Sequence, residues 1–130
     1  MSEAEAAGAA PTPVTVAYYY RAKWGHHEEF IELFLRNHWP ILRIQRDEGR
    51  YLDVRAHTPR FHGDGRADWT FLVTITYRDW DAIQHHTPKE LTDRLYPDQG
   101  RFLAEEARRF EILDAHWDVA LAERALPEAQ

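Results

Sequence analysis

The 130-residue sequence contains no cysteine, which excludes disulfides, thiolate nucleophiles and cysteine-held zinc or iron–sulfur centres. It has no stretch near the roughly 20 apolar residues that a membrane-spanning helix requires. It has no basic run either. With 22 acidic against 16 basic side chains, the formal charge of −6 repels phosphate backbones and anionic lipid, so neither nucleic acid nor a membrane is an expected partner. Residues Met1 to Pro13 are acidic and alanine-rich, without the basic and apolar regions of a secretory signal. They read as a disordered leader on a cytoplasmic protein.

What is present is ample material for a core. Hydrophobic residues make up 44% of the chain and aromatics 13%, far from the composition of disordered segments. One domain is expected, over residues 14–121, followed by a frayed tail over 122–130. Four runs alternate with the period of half-buried strands: Val14 to Arg21, Arg50 to His57, Asp68 to Tyr77 and His116 to Leu121. After the first, Gly25 and the carboxylates of Glu28 and Glu29 open a helix through Phe30, Phe34 and Leu42, which Pro40 must kink or restart. Gly49 ends it. After the third, Asp79 caps a short helix and Thr87-Pro88-Lys89-Glu90 starts another in the manner of a capping box. Pro97 sets off a last helix, from about Asp98 to Leu113, with Leu103, Ala107 and Phe110 as its apolar stripe. The order β-α-β-β-α-β is that of the ferredoxin-like α+β fold, a four-stranded antiparallel sheet with helices on one face and the other face open.

Function is expected on the open face. Alternation assigns Tyr19, Arg21, Asp53, Arg55, His57, Thr74, Thr76, His116 and Asp118 to it, with Trp117, Val119 and Leu121 toward the core. Arg55 offers a planar charged fork for a carboxylate or enolate oxygen, His57 or His116 moves protons, and Asp118 or Asp53 orients a histidine. Tyr19, Arg21, Asp53, Thr74 and Thr76 complete the candidate ligand-binding set. Such a group suits proton abstraction beside a carbonyl, and no metal or cofactor is expected. The competing reading makes Asp53 and Arg55 an exposed ion pair on a face that is solvated or covered by another subunit.

The remaining histidines are less promising. His26-His27 and His85-His86 are adjacent pairs whose side chains diverge by about 100° on a helix, and no His-Glu-x-x-His occurs. His57, His62, Asp64 and Asp68 surround a glycine-containing connection without the periodicity of a calcium loop, so that segment reads as a polar hairpin. Trp39 and Trp117 read as packing residues.

In element order, in size, and in the helix from Gly25 to Pro40 that follows a tyrosine-rich strand, residues 14–121 resemble the dimeric α+β-barrel superfamily. That group includes small antibiotic-biosynthesis-type monooxygenases, haem-degrading monooxygenases and stress-responsive barrel proteins. The resemblance implies a homodimer with one small-molecule cleft per subunit, between the open sheet face and the helices or the partner chain. It also implies a cofactor-independent monooxygenase, isomerase or cyclase; the alternative is a non-catalytic structural or stress-related homodimer whose open face its partner fills. The haem-degrading branch carries an Asn on the first strand, a Trp in the third-strand region and a His on the following helix. Trp69 and His85 or His86 match the last two, while Tyr18 or Tyr19 stands in the region of the Asn.

Overall fold

The computed structural model describes residues 12–128, so most of the segment expected as a leader lies outside it. Strand β1 (Val14–Ala22) leads into helices α1 (His27–Asn37) and α2 (Trp39–Asp47). Strands β2 (Tyr51–His57) and β3 (Phe71–Tyr77) follow, then helices α3 (Trp80–Ile83), α4 (Lys89–Leu95) and α5 (Gln99–Glu111), and finally β4 (Leu113–Leu121). The strands form one sheet in the order β2-β3-β1-β4 with every neighbouring pair antiparallel, which is the ferredoxin-like arrangement. No described helix is long and apolar enough to cross a membrane.

Local chemistry sets the helix boundaries. The chain leaves α1 at His38 and restarts with Pro40 in the first turn of α2, where a missing N–H costs no hydrogen bond. Gly49, at φ +90°, supplies the left-handed residue that ends α2. The Asp79 carboxylate accepts from the Ala82 N–H at 2.8 Å and that of Asp98 from the Arg101 N–H at 3.0 Å, capping α3 and α5. Thr87 does not cap α4; its hydroxyl is turned toward Gln45 instead.

The core lies between the sheet and its single helical layer. Phe71, Val73, Ile75 and Tyr77 of β3 alternate strictly into it, joined by Val16, Tyr20, Phe30, Phe34, Leu42 and Ile112.

Two expectations about facing, in β4 and in α5, are corrected. Residues paired across an antiparallel ladder project to the same side of the sheet. Tyr20 pairs with His116 and Tyr18 with Asp118, whereas Tyr19 pairs with Trp117 and Ala17 with Val119. His116 and Asp118 therefore stand on the helix side, and Trp117, Val119 and Leu121 on the open side, the reverse of the expected assignment. The apolar residues of this edge strand serve the open face, so hydrophobicity alone does not identify its core side. In β2 the pairing slips between Tyr51 and Asp53, which leaves Leu52 exposed at a bulge and turns Tyr51 into the core. In α5, Leu103 and Phe110 are 61% and 52% exposed, while Arg109 is buried.

Phe30 is wholly buried at the centre of this core. Phe30→Ala is expected to cost about 3–5 kcal/mol, read as a lower urea midpoint in equilibrium unfolding.

Candidate functional site

The predicted open-face residues do not converge. Asp53, Arg55 and His57 pair with Thr76, Thr74 and Leu72, so Thr74, Thr76 and the three β2 side chains share the open face. Arg55 and Asp53 form a largely exposed ion pair at 2.7 Å. Tyr19 stacks on Trp117 with ring centroids 5.3 Å apart, and Arg21 reaches the carbonyls of Gly65 and Asp68 and lies 3.3 Å from Asp114. His116 and Asp118 stand on the opposite face and at the opposite edge from Arg55 and His57. Three inter-strand steps separate the two edges, roughly 14 Å at about 4.8 Å each. Arg55, His57, His116 and Asp118 thus form no single catalytic group.

The helix side instead holds a cleft of about 350 Å³ between the sheet, the α1–α2 junction, α5 and the loop before α4. Its apolar walls are Phe34, Ile41, Leu42, Val73, Ile75 and Phe110. The sheet-side floor carries tyrosines pinned by their hydroxyls: Tyr18 to Tyr77 at 2.6 Å, and Tyr51 donating to Gln45 Oε1 at 2.7 Å. Arg50 closes one edge, donating to the carbonyl of Ala82 at 3.0 Å, to the carbonyl of His85, and to Gln45 Oε1 at 3.2 Å. It thereby fixes the loop that presents His85, His86 and Thr87 to the cleft. Opposite it, Arg108 grips Glu29 in a two-pronged pair at 2.8 and 3.0 Å, and Arg36 and Asn37 both bond Glu105, which ties α1 to α5.

Arg109, 2% exposed, is the centre of this arrangement. Its Nε and Nη2 donate to the two carboxylate oxygens of Glu106 at 3.1 and 2.9 Å, and its guanidinium lies 4.6 Å from the ring centre of Phe110. Nη1 has no partner among the described residues. A buried donor left unpaired costs about 1–3 kcal/mol, so this N–H is primed for an acceptor. His116 stacks flat on Tyr20 at 4.3 Å, donates from Nδ1 to the Tyr19 carbonyl at 2.8 Å and turns Nε2 toward Asp118. Burial, reinforced by the charges of Arg109 and His116, pushes His38 down to about 3, so its imidazole is neutral at physiological pH. Burial raises Tyr20 to about 12 against the opposing pull of Arg109, and raises Tyr18 further, helped by its bond to Tyr77. These phenols are O–H donors at neutral pH.

Arg109 and His38 were not picked out from sequence as functional. The signal was present: Phe102, Glu105, Glu106, Arg109 and Ile112 recur at helical spacing on the inward side of the last helix, with an arginine in the middle.

A second, wider groove of about 920 Å³ runs beneath the 58–70 connection. Its rim residues Trp24 and Phe61 are 93% and 89% exposed, and an Nη of its Arg21 is engaged with the loop itself, so it is an open surface groove. Trp69 lines this groove and His85 and His86 line the cleft, so the haem-branch pattern is not assembled at one site. Among the described residues no three His, Asp or Glu side chains are placed to hold a metal ion.

No protein-family model matches the sequence, and no curated protein matches it. Solved structures match it in fold. PA3566 from Pseudomonas aeruginosa superposes with a TM-score of 0.57 at 19% identity, covering 91% of this chain and all of that one. Rv0793 from Mycobacterium tuberculosis gives 0.54 at 17% identity, covering 92% of this chain and 100% of its own. SnoaB, a cofactor-independent oxygenase from Streptomyces nogalater, gives 0.50 at 20% identity over 89% of this chain and 98% of that one. At these identities the likeness is one of fold, the ferredoxin-like arrangement of a four-stranded antiparallel sheet under helices.

The low value for His38 has a consequence for stability. The unfolded chain protonates this imidazole near its ordinary 6.5 and the folded chain only near 3, so its contribution is complete above pH 6.5 and is lost as pH falls toward 3. Glu29, held down to about 2 by the Arg108 hydrogen bonds, adds its own loss only from its ordinary 4.5 downward. Urea midpoints should therefore fall between pH 6.5 and 4.5 in the wild type, and His38→Phe should flatten that part of the profile.

Proposed function

We propose that the protein binds a compact, mostly apolar small molecule in the helix-side cleft and transforms it without a cofactor, as a homodimer joined through its open sheet faces. The observation that carries this reading is the cleft: mostly buried apolar walls around a few convergent polar groups, the usual composition of a small-molecule site. A neutral His38 accepts a proton or hydrogen bond, Tyr20 donates one, and Arg109 Nη1 stabilises developing negative charge. These are the parts of general acid–base chemistry. SnoaB, described as a cofactor-independent oxygenase, shares the fold, and that likeness supports the class of chemistry without naming a substrate.

The homodimer rests on the open face, where Val119 and Leu121 are 41% and 50% exposed beside the stacked Tyr19 and Trp117. A second copy packed there buries this strip and leaves the cleft on the far side untouched. The same strip favours the second reading, a non-catalytic dimer, and ligand binding separates the two.

A thermal-shift screen of aromatic and alicyclic fragments is expected to find stabilising ligands, and Ile75→Trp, which fills the cleft, to abolish their effect. Ligands that stabilise the filled variant equally well contradict the cleft assignment. In sedimentation velocity the wild type should run as a dimer, and Val119→Glu with Leu121→Glu should run as a folded monomer.

A further inference from the structure

We propose that the cleft selects ligands with a single carboxylate, seated on Nη1 of Arg109, and that an apolar or aromatic body of the ligand fills the space between Phe34 and Ile75. The inference rests on the cleft reading above and adds the chemical class. Two observations carry it. The first is Arg109 itself, 2% exposed, with Nε and Nη2 committed to Glu106 and Nη1 unpartnered among the described residues. The second is charge. Arg50 and Arg109 line the cleft and no Asp or Glu does, although the chain as a whole carries −6. A lining of one sign in a protein of the other is a selective feature of the site, because field lines concentrate in a cleft with low-dielectric walls.

The donor inventory narrows the anion to one charge. Arg50 spends one N–H of each side-chain nitrogen on Ala82, Gln45 and His85, so three of its five donors already hold the loop in place. Arg109 is half-neutralised by its pair with Glu106, and Asp118 stands behind His116. One unpartnered guanidinium nitrogen on an arginine already paired with Glu106 suits a monoanion. A phosphate dianion demands several free donors, which this cleft does not offer.

The test compares 2-naphthoate with its neutral isostere 2-naphthamide by isothermal titration calorimetry on the intact protein. A charge-assisted hydrogen bond in a buried site predicts that naphthoate binds at least about tenfold tighter than the amide. Arg109→Met is expected to erase that preference, weakening naphthoate by the larger factor because the amide loses only a neutral acceptor's hydrogen bond. Because this variant strands Glu106, Glu106→Gln serves as the second probe; it leaves the guanidinium uncompensated and should tighten naphthoate alone. Equal binding of acid and amide to the wild type overturns the carboxylate assignment and leaves the cleft reading standing. Absence of binding by either overturns the assignment, while the fragment screen decides the cleft independently.

Discussion

The hydrogen-bond register between β1 and β4 decides what each face of the sheet can do. Because Tyr20 is paired with His116 and Tyr18 with Asp118, the polar residues of the edge strand are delivered beneath the helices, and the apolar ones are left facing outward. A slip of one residue exchanges the two sets and dismantles both the cleft and the apolar strip. The stacking of Tyr20 on His116 at 4.3 Å and of Tyr19 on Trp117 at 5.3 Å, on opposite sides, holds this register by side-chain contact as well as by the ladder.

The two faces divide the labour. The open face is broad and apolar toward β4, with an exposed Asp53–Arg55 pair at the far edge. The helix face is narrow and holds the buried polar groups. Burying Arg109 is unfavourable unless its charge and donors are met, and Glu106 meets only part of that requirement from one turn away on α5. What remains unpaired is a local destabilisation concentrated in the cleft, the pattern expected where structure has been given over to binding. The ion pairs that tie α1 to α5 are more exposed and matter for holding the wall in place more than for overall stability.

Much of this fold was legible in the sequence. Strand β3 is the clearest case, since Phe71, Val73, Ile75 and Tyr77 alternate without interruption and are all buried. Pro40, Asp79 and Gly49 marked element boundaries because each imposes a local backbone constraint independent of tertiary context. The site was less legible, for three physical reasons. In β4 both faces are apolar or aromatic enough to pass for core, so Trp117 outweighed His116. In β2 a bulge at Leu52 changes the parity of one residue, which no alternation rule detects. In α5 an arginine occupies the inward stripe, where a charged side chain is ordinarily read as solvated. The β4 reading placed His116 and Asp118 on the wrong side, whereas Asp53, Arg55 and His57 of β2 stand on the open face as expected.

The measurement that tests this account most directly is a crystal structure of the protein grown with a ligand that stabilises it. The account predicts that the two sheets meet through Tyr19, Trp117, Val119 and Leu121 and that ligand density lies between α5 and the sheet, against Arg109. Ligand density between the two sheets, against Arg55 and His57, with the helix-side cleft closed, would contradict it.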